Sequence, residues 1–384
     1  MKTKRHLLFF LTFLCMLFSL SIGVSAAKGW VKENGKTYYY KTAKQKYKGG
    51  PYTINGKKYL FKKNGVLLRS TVTRKNKKLY LSGKNGVLLT RWGTPKGGKG
   101  IYYGTSDGSL KTGVVEYKGF TYYFDKTTGQ MAYGWQTDGN NTYYFDPKTG
   151  HAVSGWRKID GKSYYFRTDG THTQYTGWLI SGNRKYYLDP EDNGARAYGT
   201  LTINGTKVNF GSEGSVAFTK QNMRLVVNRQ KNVITVYEGS LPIKAILCST
   251  GRNNATPTGT FRLRDKLPWA NLNGPTIGQY CSHFLTNYLL HSVPMPGSSR
   301  NPYKVHASKY NMLGQQASQG CIRLNVKDAR WIYYNVPIGS TITISDSAKM
   351  PLGKPVLNKM KQSVGADPTD TFQNPGGYSV SIRR

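Results

Sequence analysis

Acidic side chains are scarce in this 384-residue chain: 18 Asp and Glu stand against 56 Lys and Arg, a formal charge of +38. A surplus of that size attracts polyanions, over roughly 8 Å at physiological ionic strength. Long apolar runs are equally rare. Only Leu7 to Val24 approaches the length that spans a bilayer, and nothing after it does. Cysteine is limited to four residues and histidine to six, so any thiol or imidazole chemistry has few candidates.

The single apolar run follows Lys2, Lys4 and Arg5 and precedes the small residues of Val24-Ser25-Ala26. This pattern predicts a secretory signal peptide over residues 1–26, with an uncleaved membrane anchor as the alternative. Export makes nucleic acid an unfavoured partner, limits membrane contact to export itself, and favours an anionic envelope polymer. The expected location is secreted and wall-associated. Cys15 lies in the signal, leaving Cys248, Cys281 and Cys321. Two arrangements fit an odd count: a 248–281 disulfide with Cys321 free, or two buried thiols beside a reactive one.

Residues 29–219 repeat themselves. Tyr122-Tyr123-Phe124, Tyr143-Tyr144-Phe145, Tyr164-Tyr165-Phe166 and Tyr186-Tyr187-Leu188 step by 21, 21 and 22 residues. Gly134-Trp135, Gly155-Trp156, Gly177-Trp178 and Gly199-Thr200 interleave with them, and turn pairs such as Asp138-Gly139 and Asp160-Gly161 fall between. Each unit reads as a short β-hairpin. A lone hairpin is marginal, so stacking into a solenoid is expected to bury the aromatic faces. The earlier stretch is a degenerate version in which the aromatic beat continues at Tyr38-Tyr39-Tyr40 and Tyr59-Leu60-Phe61, with Lys and Arg crowding the turns. The array resembles the cell-wall-binding (choline- or glucan-binding) repeat family. That resemblance implies aromatic contacts to choline or polysaccharide, for which Trp135, Trp156 and Trp178 are the candidates. Most of the remaining Tyr and Trp must be core, because the repeat has little else to bury.

From residue 222 the pattern changes to a second, mainly β domain over 222–345. Strand alternation on either side of Arg229-Gln230-Lys231-Asn232 predicts a hairpin over Met223 to Tyr237. Further strands are expected over 243–248, 259–264, 285–291 and 340–344. Helical spacing over Val326 to Asn335 predicts one helix packed on the sheet. Residues 348–384 are polar and rich in Pro and Gly, and are expected to form a disordered or draped tail.

Within this domain lies Ala317-Ser318-Gln319-Gly320-Cys321-Ile322-Arg323-Leu324-Asn325. A cysteine after glycine, just ahead of a helix, has backbone N–H groups nearby that stabilise negative charge. It also needs a base. His151 and His172 lie in the repeats, which leaves His283, His291 and His306. His291 ends the apolar strand Tyr288-Leu289-Leu290 and is held rigidly there, whereas His306 lies in a loop. From Thr219 onward only six carboxylates remain, so a backbone carbonyl is a better imidazole orienter than an Asp.

Ser-x-Gly-Cys-Ile-Arg, preceded by a strand ending in His-Ser, resembles the L,D-transpeptidase (YkuD-type) catalytic domain. Ser249-Thr250-Gly251, Thr256 to Phe261 and Asp328-Ala329-Arg330-Trp331 add to the likeness. The resemblance implies that Cys321 is the nucleophile and His291 its proton acceptor. Ser292 would orient the imidazole through its carbonyl, and the Gly320 and Cys321 amides would hold the oxyanion. Ser318, Gln319 and Arg323 would meet substrate. Peptidoglycan stem peptides would be the partners, with anionic wall polymers or wall polysaccharide held by the repeats, and no cofactor or metal is called for. Two departures stand out: Gln319 occupies a position where the family usually has His, and Met295 to Gly314 must be an inserted loop. A carboxypeptidase, or a wall-binding protein whose catalytic domain has lost activity, are the alternatives. A papain-like protease is excluded because its Cys precedes its His.

Overall fold

The computed structural model describes residues 28–94, 100–297, 301 and 304–370; the expected signal peptide lies outside them. The described residues fall into two compact units that divide between Ala152 and Val153.

The first unit is a run of antiparallel hairpins. Gly29–Glu33 pairs with Lys36–Thr42, Pro51–Ile54 with Lys57–Leu60, Thr71–Lys75 with Lys78–Ser82, Gly113–Tyr117 with Phe120–Phe124 and Gly134–Asp138 with Asn141–Phe145. At Asn34-Gly35 and Asn55-Gly56 both turn residues have positive φ (46° and 73°, 48° and 72°). That is the two-residue turn whose twist matches a hairpin, and it explains the Asn-Gly pairs. Strand alternation sets the burial of each aromatic triplet. In Asn141–Phe145 the first and third aromatics, Tyr143 and Phe145, are buried, while Tyr144 between them faces outward beside Trp135.

The second unit contains three further hairpins and the C-terminal sheet domain in one body. The hairpins are Gly155–Ile159 with Lys162–Phe166, Gly177–Ser181 with Arg184–Asp189, and Thr200–Ile203 with Thr206–Asn209. The composition change near residues 219–222 is therefore not a break in packing. Trp178, Ile203, Val208, Phe210 and Phe218 share one hydrophobic cluster with Leu225, Val236 and Ile332. A buried ion pair between Lys185 and Glu238 crosses the same seam.

The C-terminal domain is a ten-stranded sheet. Its main strands are β1 (Met223–Asn228), β2 (Val233–Glu238), β3 (Leu241–Ser249), β4 (Gly259–Arg262), β5 (Lys266–Leu272), β6 (Thr276–Leu285), β7 (Tyr288–Ser292), β8 (Ile322–Leu324) and β9 (Thr341–Ser345). Helix α1 (Val326–Asn335) lies between β8 and β9. Met295–Pro296 adds a short tenth strand against β6. The order is β4-β9-β1-β2-β3-β8-β7-β6-β5. Only β1–β9 and β7–β8 run parallel. The edge strands β4 and β5 are consecutive in the chain, and Arg264 N–H donates to His283 O at 2.9 Å, so the sheet curls on itself. Helix α1 starts where Asn325 accepts from Asp328 N–H at 2.7 Å, a side-chain cap for a free helical amide.

The structure departs from the sequence expectations in two places. The strand expected over 285–291 is two strands, because Thr286-Asn287 turns the chain between β6 and β7. The tail expected from 348 onward is packed at least to residue 370. Met360 is buried, Val364–Gly365 pairs with Val305–His306, and the buried Asp367 accepts from Val326 N–H at 2.9 Å.

Candidate active site

Strand pairing assembles the site. In the parallel pair β7–β8, His291 stands opposite Arg323. Cys321 lies two residues before Arg323, so side-chain alternation directs it to the same face. His291 and Cys321, thirty positions apart, thus line one cleft of about 510 Å³. Ser318, Gln319, Gly320 and Arg323 line it too, as do His283, Asn287 and Tyr288.

His291 is 2% exposed. Its Nδ1 lies 2.6 Å from Ser292 O, so Nδ1–H donates to that carbonyl and Nε2 carries the lone pair. Burial pulls its pKa down to about 4; the Ser292 carbonyl opposes the shift and the nearby Arg323 adds to it. Burial likewise raises the Cys321 thiol, opposed by the Leu289 amide and Arg323. Burial thus disfavours the charged form of both groups. The Cys321 S–H points to Asn287 O at 3.7 Å. Gly278 makes room for the ring, since a Cβ there would stand 3.0 Å from His291 Nδ1.

The turn that carries Cys321 is clamped from beneath. Thr250 O accepts from Ala317 and Ser318 N–H at 2.8 and 3.1 Å, and Arg252 N–H donates to Ser318 O. Thr256, fully buried, accepts from Gly251 N–H at 2.7 Å and donates to Gly320 O at 2.6 Å. These bonds are why Ser249-Thr250-Gly251 and Thr256 accompany the cysteine motif. Gly320 has φ +144°, and a Cβ would meet Tyr288 Cε1 at 2.6 Å, so only glycine fits.

Three expectations need correction. The Gly320 amide is not an open oxyanion donor, because it donates to Ser318 Oγ at 3.0 Å. Ser318 is 1% exposed and also donates to Cys321 O, so it braces the turn rather than presenting itself to substrate. Trp178 is 5% exposed and packs against Phe210 and Tyr187 as core.

The other candidates differ among themselves. Gln319 is exposed at the cleft, its Oε1 accepting from Asn273 at 3.3 Å. Arg323 donates to Ala317 O, while its buried Nε has no partner. Trp135 is 37% exposed beside Tyr144. The face of Trp156 is taken by Arg196, whose guanidinium lies 5.4 Å from that ring and 4.8 Å from Tyr186. His306 begins a short helix and is not among the cleft residues. The three cysteines among the described residues are free; Cys248 and Cys281 are fully buried, with Cys281 pushed up to about 12 by burial. Among the described residues no cluster of metal-ligating side chains occurs.

Sequence reasoning gave no role to Thr256 beyond its motif, and none to Gly278 or Asn287. Nothing but the sheet pairing brings the last two to the site.

A buried imidazole oriented by a carbonyl thus shares a cleft with a thiol on a clamped turn, a pairing of parts that cysteine acyl transfer uses. Residues 222–344 match the L,D-transpeptidase catalytic domain, residues 111–154 and 153–200 the choline-binding repeat, and residues 28–42 and 52–67 the cell wall binding repeat. The chain carries an L,D-transpeptidase catalytic domain together with choline-binding and cell-wall-binding repeats. A Bacillus subtilis (strain 168) protein, YciB, is 34% identical over 127 residues. The match spans 31% of this chain and 63% of that protein. Among solved structures, CbpJ from Streptococcus pneumoniae TIGR4 is 23% identical with a TM-score of 0.42, covering 74% of this chain and 99% of that one. Choline binding protein F from Streptococcus pneumoniae is 21% identical with a TM-score of 0.42, covering 74% and 97%.

Proposed function

We propose that the protein is a cysteine-dependent peptidoglycan L,D-transpeptidase, exported and held at the wall by its repeats. The observation that carries this reading is the pairing of β7 with β8, which brings His291 and Cys321 to one cleft with His291 Nδ1 held at the Ser292 carbonyl.

Cys321 gives its proton to His291 Nε2 as sulfur attacks the carbonyl of a stem peptide on the L side of its scissile bond. The imidazolium passes that proton to the departing D-alanine amine, leaving a thioester. An amine from a second stem then forms the new amide and returns the thiol. With the Gly320 amide engaged by Ser318, the Cys321 amide is the backbone donor assigned to the oxyanion. Arg323 brings positive charge to the cleft wall for a substrate carboxylate. Tethering through the repeats raises the local concentration of wall substrate, and the +38 charge favours anionic wall polymers.

The test is incubation of the full chain with purified tetrapeptide stems, with products read by mass. Cross-linked dimers that vanish in Cys321→Ala support the reading. Tripeptide alone would make the protein a carboxypeptidase, and unchanged substrate would leave only a wall binder.

A further inference from the structure

A second imidazole faces the same cleft with a carboxylate partner of its own. His283 sits on β6 opposite Leu289 of β7, and Leu289 in turn lies beside Cys321, whose sulfur its amide supports. Paired residues in neighbouring strands share a face, so His283, Leu289 and Cys321 form one row across three strands. Two strand spacings separate the His283 and Cys321 backbones, about 10 Å. His283 Nδ1 lies 2.5 Å from Asp265 Oδ1. The backbone fixes that pair, since His283 N–H donates to Asp265 O at 3.1 Å. The site as assembled so far gives this second dyad no task.

The chemistry of the second half-reaction supplies one. An incoming primary amine of the lysine type, with a pKa near ~10, arrives as an ammonium at neutral pH. It must lose one proton to become a nucleophile and another as the C–N bond replaces the C–S bond. His291 has one vacant nitrogen, because Nδ1 is committed to Ser292 O, and its burial disfavours the charged form. It can take the second proton and return it to the leaving thiolate. It cannot also hold the first.

We infer that His283, oriented by Asp265, is the proton acceptor for the acceptor amine of the transpeptidation step, while His291 serves the Cys321 thiol. This inference rests on the transpeptidase reading above. With Nδ1 turned to Asp265, Nε2 is the nitrogen left to take the ammonium proton. The Asp265 carboxylate then sits against the resulting imidazolium, and the half-exposed setting lets the proton pass to water. The other ionisable groups lining the cleft are Cys321, His291, Arg323 and Tyr288. A water nucleophile brings no ammonium proton, so hydrolysis of the same thioester does not need His283.

The experiment measures three quantities on the full chain with tetrapeptide stem as both donor and acceptor. These are the rate of acyl-enzyme formation, the ratio of cross-linked dimer to hydrolysed tripeptide, and that ratio from pH 7 to pH ~10, where the amine loses its own proton. For His283→Gln the expected result is unchanged acylation with a ratio at pH 7 reduced about 10-fold or more, recovering as pH rises. Asp265→Asn, at an exposed position, is expected to shift the ratio the same way by less. A wild-type ratio in His283→Gln at every pH overturns the inference alone. Acylation that falls in parallel, with the ratio held, also overturns it, since His283 would then act before the amine arrives. Wild-type protein that never acylates overturns the transpeptidase reading itself, and this inference with it.

Discussion

An imidazole whose charged form burial disfavours leaves a trace in stability. The His291 pKa is drawn from 6.5 to about 4 in the folded chain. A folded-state value below the unfolded one means that the unfolded chain takes up a proton first as pH falls. The associated stability is fully present above pH 6.5 and is lost as pH drops through the folded value. A shift from 6.5 to about 4, at 1.36 kcal/mol per unit, corresponds to about 3 kcal/mol between pH 7 and pH 4. His291→Asn keeps a donor for Ser292 O but removes the titration. The advantage of wild type over the variant should therefore shrink by about 3 kcal/mol across that window. Asp367 acts in the opposite sense, since burial lifts its pKa to about 6, and its contribution grows as pH falls through that value. It is common to both proteins and cancels in the comparison. The buried thiols of Cys248 and Cys281 provide the assay. Their alkylation across a urea series, read by mass, reports opening of the catalytic unit without interference from the repeats' aromatic signal. Parallel pH curves for the two proteins would refute a buried neutral imidazole at 291.

Other outcomes follow from the same contacts. Gly320→Ala places a Cβ 2.6 Å from Tyr288 Cε1 at φ +144° and should abolish acylation while Cys248 stays protected from alkylation. Thr256→Val strands Gly251 N–H and Gly320 O and should cost about 1–3 kcal/mol, measured by the same urea series. Trp178→Ala should destabilise the catalytic unit by about 3–5 kcal/mol, because Trp178 is core. Trp135→Ala, at a 37% exposed ring, should leave that unit unchanged in the same assay.

Much of this was legible in the residues. The hairpin period rests on turn pairs and aromatic triplets, both local signals, and the hairpins fall where the period puts them. The helix over Val326–Asn335 also matches its spacing. What local signals miss is pairing between distant segments. Leu285 to His291 reads as one strand because the apolar run Tyr288-Leu289-Leu290 outweighs the single turn-favouring residue Asn287. The engagement of the Gly320 amide by Ser318 is a three-dimensional contact that the motif does not disclose. Trp178 obeys the same repeat rule as Trp135 and Trp156, yet it lies where the array meets the catalytic domain, so packing rather than period decides its exposure. The tail looks unstructured by composition, but Met360 and Asp367 each find a hydrogen-bond partner on the domain.

Intact-mass analysis of the full chain after brief exposure to tetrapeptide stem is the most direct trial of a sulfur at 321 working with an imidazole at 291. The account predicts one covalent stem fragment per chain, mapped to Cys321, formed with release of D-alanine and strongly slowed in His291→Asn. A chain that releases D-alanine with no adduct at Cys321, or at the same rate without His291, would contradict it.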